Sequence, residues 1–221
     1  MKRLALTVSV LLGLTLQAPI ASAGVVIHKP ETKTLHYSGD VVRGDSKKLQ
    51  KALKDHPDTK RITLSSKGGD AIEGFRLGYT IKDKGLTVEV PKGTLCLSAC
   101  AIAFMAGDTK IINGVLGFHV AWLDKKLESN EALKNGQLLG SITGIYFYNT
   151  GYIAQLQYLI GALTNKDTFL LMYSEEDLAM FEIKEGVDFS EILEIPDDWF
   201  LERIAGPVRM HFLSKTIEKG G

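Results

Sequence analysis

The sequence has little of what would mark it as anything other than a globular protein. It contains only two cysteines, and its 26 lysines and arginines are balanced by 26 aspartates and glutamates. Two cysteines are too few for a cysteine-scaffold domain, and the composition is neither that of a disordered chain nor that of a collagen. A formal charge of zero also argues against a nucleic-acid-binding protein, because phosphate neutralisation needs a surplus of lysine and arginine.

The first 23 residues have the pattern of a secretory signal peptide. Met1-Lys2-Arg3 is positively charged, Leu4 to Leu16 is apolar without a charge, and Ala21-Ser22-Ala23 is a small-x-small cleavage site. The apolar run is shorter than the roughly 20 residues that span a bilayer, which argues against a retained membrane anchor. We therefore expect cleavage after Ala23 and a periplasmic or secreted mature protein. Residues 24–221 are then expected to form one domain in an oxidising compartment, where no ATPase partner is expected.

Short strand patterns alternate with helix patterns in the first half of the mature chain. We predict a first helix that Asp45 caps, and further helices over residues 72–81 and 95–107. The strands are predicted at residues 34–37, 61–64, 86–90, 111–112 and 115–120. Alternation of this kind predicts an α/β fold built with right-handed crossovers.

The segment between Lys134 and Lys166 contains no charged side chain. Its apolar residues recur at helical spacing, which predicts one long helix over about residues 131–164. Polar residues such as Asn149 and Gln155 interrupt the segment, which argues against its insertion into a membrane. A long helix with an uncharged surface is expected to pack against a second subunit.

Three short patterns attract attention because they occur together. Gly68-Gly69 follows a predicted strand, Ser98 lies near the start of a helix rich in small residues, and His119 lies at the end of a later strand. Taken singly, each has an ordinary structural interpretation. A glycine pair makes a turn, a serine at a helix start caps it, and a histidine among apolar residues is usually a hydrogen-bonded interior residue.

Together these patterns resemble the proteolytic subunit of the Clp protease, within the Clp/crotonase superfamily, over roughly residues 33–185. The motifs that carry the resemblance are Ser66-Lys67-Gly68-Gly69-Asp70, Cys96-Leu97-Ser98-Ala99-Cys100-Ala101 and Gly117-Phe118-His119. Lys67 stands where the family has proline, and the two cysteines flank the matched serine, which points to an exported offshoot. The resemblance implies a Clp/crotonase-like spiral of β-β-α units whose long helix is the handle through which subunits assemble into a homo-oligomer.

The resemblance also implies a catalytic site. Ser98 would be the nucleophile, His119 its general base, and Asp167, in the dipeptide Asp167-Thr168, the acid that orients the imidazole. Asp177 is the alternative for that acid. The backbone N–H groups of Gly69 and Ala99 match the positions that stabilise the oxyanion. No metal and no cofactor is implied.

Cys96 and Cys100 admit three interpretations: a disulfide, two buried small apolar residues, or an alternative nucleophile. Export favours the disulfide, which would stiffen the turn that carries Ser98. A zinc site is disfavoured, because two cysteines without a nearby histidine fall short of four ligands.

These features predict an exported serine peptidase that cleaves peptide bonds through an acyl-enzyme, with a peptide or protein as substrate. Two alternatives remain open. One is a crotonase-like enzyme acting on acyl thioesters, although coenzyme A is intracellular. The other is a binding or assembly protein whose site is vestigial. A narrower variant of the peptidase would use Lys67 or Lys92 as the base for Ser98.

Overall fold

The computed structural model describes residues 23–121 and 127–182, together with the backbone of residues 211–214. The signal-peptide prediction for residues 1–23 lies outside these residues, except for Ala23. Within them, no helix is both long and apolar enough to cross a membrane.

Nine strands and six α-helices are found in the described part of the chain. The strands are β1 Val25–Lys29, β2 Thr34–Ser38, β3 Arg61–Ser65, β4 Thr87–Val90, β5 Leu95–Leu97, β6 Thr109–Ile112, β7 Val115–Phe118, β8 Thr168–Met172 and β9 His211–Ser214. The helices are α1 Asp45–Asp55, α2 Ala71–Asp83, α3 Ala99–Phe104, α4 Ser129–Asn149, α5 Ala154–Leu163 and α6 Glu175–Ala179.

The strands form two sheets. The larger sheet has the order β1-β2-β3-β4-β6, in which β2, β3, β4 and β6 are parallel and β1 is antiparallel to β2. The smaller sheet has the order β5-β7-β8-β9, in which only the β5-β7 pair is parallel. The chain passes from the larger sheet to the smaller one between β4 and β5, and again between β6 and β7. A helix follows each of these crossings. This is the predicted α/β spiral of β-β-α units, and the fold class is confirmed.

The buried core lies between the helices and the larger sheet. The alternation of β2 and β3 turns Leu35, Tyr37, Ile62 and Leu64 inward, and all four side chains are almost completely buried. Helices α2 and α3 cover this layer with their apolar faces. The core therefore fixes the sheet from which both the glycine turn and the serine turn emerge.

Two predicted helices have different bounds in the structure. The helix predicted over residues 95–107 is a strand followed by a short helix. The strand forms because the N–H of Ser66 donates to the carbonyl oxygen of Leu95, and the N–H of Leu97 donates to the carbonyl oxygen of Ser66. Asp45 was predicted to cap α1, but Gly44 occupies the N-cap and Asp45 is the first helical residue, with its carboxylate buried.

The prediction of one continuous handle helix over residues 131–164 is wrong, because the structure has two helices there. The chain forms α4 and α5 with a break between them, where Gly151 adopts a φ of 91°. Beyond this residue the N–H of Tyr152 bonds back to Phe147, and the N–H of Ile153 bonds to Phe181 instead of continuing the helix. A glycine in the left-handed region after the last turn is a common way for a helix to end.

Candidate active site

Ser98 lies on a sharp turn between β5 and α3. Its φ of 55° and ψ of −121° are rare for a residue with a side chain. The N–H of Ser98 donates to the carbonyl oxygen of Gly117 at 2.8 Å, which ties the turn to β7. The hydroxyl makes no capping hydrogen bond to the helix that follows. Ser98 therefore occupies the N-cap position of α3, but its side chain does not act as a cap.

A disulfide spans the same turn. Cys96 and Cys100 are bonded to each other, their Cα atoms are 5.1 Å apart, and both residues are buried in the main core. The bond joins the residue two before Ser98 in β5 to the residue two after it in α3. The disulfide interpretation is the one that the structure adopts, and the bond connects both sides of the serine turn.

The glycine turn lies directly against the serine turn. A Cβ atom on Gly68, whose φ is 100°, would lie 2.6 Å from the Cβ of Ser98 and 2.7 Å from the carbonyl oxygen of Leu97. The approach of the two backbones therefore requires glycine at this position. Ser66, which was not singled out as a functional residue from the sequence, accepts a hydrogen bond from the N–H of Gly68 at 3.0 Å.

The two predicted oxyanion donors are both available. Among the described residues, no hydrogen bond uses the N–H of Gly69 or of Ala99. Val41 holds the glycine turn from the other side, donating its N–H to the carbonyl of Gly68 and accepting the N–H of Asp70, both at 2.8 Å. These bonds fix the backbone of Gly69 without occupying its N–H group.

His119 follows directly after β7 and is buried. Its ring packs against Phe169 with ring centroids 4.5 Å apart, as expected from the antiparallel register that sets Phe118 opposite Leu170 in β8. The next residue, Val120, donates its N–H to the hydroxyl of Thr164 at 2.8 Å, which ties this segment to the end of α5. The ring therefore packs on the smaller sheet, and the backbone next to it is tied to the handle.

Ser98 and His119 line one cavity of about 220 Å³. Phe118 and Ile102 contribute to its wall on the side of the sheet, and α4 and α5 form the opposite wall. Neither Lys67 nor Lys92 lines this cavity, and both are exposed. A Ser-Lys pairing therefore has no support in this geometry.

Asp167 and Asp177 have different environments, and neither lines the cavity. The carboxylate of Asp167 is 58% exposed and pairs with Lys166, with no hydrogen bond to His119. The carboxylate of Asp177 accepts the N–H groups of Tyr173 and Ser174 and forms the capping box of α6. The structure therefore brings together the predicted serine, histidine and backbone donors, but not the predicted acid.

Gln157 also lines the cavity, and the sequence predicted no role for it. It lies on α5, lines the cavity, and donates from Nε2 to the carbonyl oxygen of Gly140 on α4 at 2.6 Å. The only sequence signal was a polar residue within the long uncharged segment. That signal gave no indication of which side of the helix it occupied.

Comparison with known proteins gives similarity of structure only. No protein-family model matches the chain, and no curated protein matches it. A mutant of ClpP1 from Listeria monocytogenes is 16% identical, with 72% of this chain and 96% of that chain covered and a TM-score of 0.48. A mutant of the 1510-N membrane-bound stomatin-specific protease is 15% identical, with 72% and 81% covered and a TM-score of 0.48. The α/β class of this chain follows from its own strands and helices.

Proposed function

We propose that this protein is an exported serine peptidase that cleaves peptide bonds through an acyl-enzyme formed on Ser98. The observation that carries the proposal is the conformation of Ser98, whose uncapped hydroxyl shares a cavity with His119. Holding a residue with a side chain in such a region costs on the order of 1–3 kcal/mol and persists only where the surroundings enforce it. Conformations of this kind cluster at active sites.

The chemistry follows from the groups at the site. The hydroxyl oxygen of Ser98 attacks the carbonyl carbon of the substrate while His119 takes the hydroxyl proton. The N–H groups of Gly69 and Ala99 stabilise the oxyanion that forms. His119 then gives its proton to the leaving amine, and an ester with Ser98 remains. Water, activated by the same imidazole, hydrolyses this ester to a carboxylic acid and restores the serine.

Asp167 remains the proposed orienting acid. The resemblance supports this role, and so does its place directly before β8, the strand that packs Phe169 against His119. Rotation of the exposed carboxylate away from Lys166 would be required. We expect Asp167→Asn to slow the reaction less than Ser98→Ala does. Asp177→Asn should lower stability by up to about 1 kcal/mol, because a neutral amide accepts the N–H groups of Tyr173 and Ser174 less strongly than the carboxylate does. A larger kinetic effect of Asp177→Asn would reassign the orienting acid.

Export and assembly belong to the same proposal. The signal-like pattern of residues 1–23 and the pairing of both cysteines support an oxidising compartment. Assembly through the handle is supported by large apolar side chains that α4 leaves exposed, namely Leu133, Leu138, Ile145 and Tyr148. The mass of the purified mature protein in solution, measured by light scattering, tests assembly.

The decisive experiment is labelling of the mature protein with a fluorophosphonate probe, which reacts with activated serines. We expect stoichiometric labelling of the native protein and none of Ser98→Ala, with matching circular dichroism spectra for the two proteins. His119→Ala should reduce labelling nearly as much. Equal labelling of the native protein and Ser98→Ala would remove Ser98 from the mechanism.

A second candidate is a binding or assembly protein that keeps this fold without catalysis. The observation that favours it is the carboxylate of Asp167, which is exposed and pairs with Lys166. Peptide binding by a correctly folded protein that the probe does not label would support this candidate over the peptidase.

A further inference from the structure

The cavity beside Ser98 has a wall that differs chemically from the rest of the site. On the side of α4 and α5, glycines at positions 136, 140 and 161 leave space that larger side chains would fill. Among the described residues that line the cavity, no aspartate, glutamate, lysine or arginine is present. A charged substrate side chain entering this space would lose its hydration without gaining a partner of opposite charge, which is costly.

Gln157 is held in one orientation on this wall. Its Nε2 donates to the carbonyl oxygen of Gly140 at 2.6 Å. A Cβ atom on Gly144 would lie only 2.7 Å from its Oε1. The side-chain amide therefore lies along the face of α4 that its glycines leave open. Because the Nε2 group is engaged with the helix, the orientation of the amide is fixed by a hydrogen bond that the substrate does not supply.

The polar groups of this wall present hydrogen-bond acceptors. Among the described residues, none donates a hydrogen bond to the Oε1 of Gln157. Thr143, which also lines the cavity, donates its hydroxyl proton to the carbonyl oxygen of Leu139 at 2.8 Å, so its oxygen is left to accept. Gln157 and Thr143 both line the cavity, and each carries an oxygen that can accept a further hydrogen bond.

We infer that Gln157 makes the cavity selective for an uncharged substrate side chain that ends in a hydrogen-bond donor, as the carboxamide of glutamine does. This inference rests on the proposed function and names its substrate class. An apolar side chain of the same length would cover the Oε1 of Gln157 and leave it unpaired, at a cost of about tenfold in affinity. A carboxylate would bring an unpaired charge to the same acceptors.

The test uses the Ser98→Ala variant, so that binding is measured without turnover. Three fluorescent peptides differ only in a C-terminal residue, which is glutamine, norleucine or glutamate, and their affinities are measured by fluorescence anisotropy. We expect the glutamine peptide to bind about tenfold more tightly than the norleucine peptide, and the glutamate peptide to bind more weakly than both. Preference for norleucine, or no binding of any of the three peptides, would overturn the inference.

Variants of the wall then locate the preference. In the Ser98→Ala background, Gln157→Leu should reverse the order of glutamine and norleucine. Gln137→Leu, the same substitution at an exposed position of α4, should keep it. Gly144→Ala provides a second route, because its Cβ displaces the amide of Gln157, and it should bring the two affinities to within about twofold. An unchanged preference in folded Gln157→Leu, verified by its thermal melt, would remove Gln157 from specificity.

Failure of this inference is distinguishable from failure of the proposed function. Fluorophosphonate labelling of the native protein reports activation of Ser98 and does not involve the peptide side chain. A labelled protein without the glutamine preference overturns only the role of Gln157. An unlabelled protein that shows the preference and its reversal overturns the peptidase and supports Gln157 as part of a binding site.

Discussion

The two walls of the cavity differ in how firmly the rest of the molecule holds them. The wall that carries Ser98 is fixed by backbone hydrogen bonds to Ser66 and Gly117 and by the disulfide between Cys96 and Cys100. The opposite wall is formed by α4 and α5, and α4 buries only Tyr146 and Phe147. A rare backbone conformation persists only in surroundings that enforce it, and only the first wall provides them.

This difference assigns the two walls to different tasks. The proposed chemistry needs the serine oxygen and the backbone donors within a fraction of an ångström of their working positions, because small misplacements are costly in rate. Recognition of a substrate side chain tolerates more movement and can be altered by single residues on a helix surface. We therefore expect substitutions in the serine wall to affect reaction rate and stability, and substitutions in the helical wall to affect selectivity.

The largest effect is expected from closing the gap between the glycine turn and the serine turn. Gly68→Ala forces a Cβ atom to within 2.6 Å of the Cβ of Ser98 and requires a φ of 100° that alanine rarely adopts. We expect the rate of fluorophosphonate labelling to fall by about 100-fold or more. The free energy of unfolding should fall by about 2 kcal/mol or more. Labelling at the native rate would show that the serine wall is less constrained than its contacts indicate.

The next effect is expected from opening the disulfide. Replacing both Cys96 and Cys100 with alanine removes a bond that closes a short loop, which should lower the free energy of unfolding by about 2 kcal/mol. Urea denaturation with and without reductant measures this change. The double variant is its own control, because reductant should destabilise the native protein and leave the variant unchanged.

A smaller effect is expected where the two walls are joined. The hydroxyl of Tyr146 on α4 donates to the carbonyl oxygen of Ile102 on α3 at 2.8 Å, and Tyr146 is buried. Tyr146→Phe should lower the free energy of unfolding by about 1 kcal/mol, because one hydrogen bond is lost while the carbonyl oxygen of Ile102 still accepts the N–H of Met105. Tyr148→Phe, two residues along the same helix and 71% exposed, should change it by less than about 0.5 kcal/mol. Equal effects of the two substitutions would show that the hydrogen bond does not join the walls energetically.

The smallest effect has the opposite sign. A Cβ atom on Gly136 would meet nothing within 4 Å, and its φ is not in the left-handed region. Since alanine favours a helix over glycine by up to about 1 kcal/mol, Gly136→Ala should raise the free energy of unfolding by a fraction of that amount. Thermal denaturation monitored by circular dichroism tests the sign. Destabilisation by Gly136→Ala would mean that the helical wall is packed as tightly as the serine wall.

The sequence by itself determined the parts of this protein that depend on local pattern. The alternation of strands and helices gave the α/β class, because periodicities of two and of 3.6 residues record which side of an element is buried. The glycine pair at Gly68 and the serine at Ser98 are short local patterns, and their expected roles came from the resemblance to a known family. The pairing of Cys96 with Cys100 also joins residues that are close in the chain.

Only the tertiary structure decided what depends on contacts between distant segments. Leu95–Leu97 forms a strand because Ser66 and β7 offer it hydrogen-bonding partners, although its residues fit a helical pattern equally well. The environment of Asp167 and the approach of Gln157 to Gly140 depend on where whole elements lie. Gln157 and Gly140 are 17 residues apart in the chain. Their contact is set by the packing of α4 against α5, and no short pattern in the sequence predicts it.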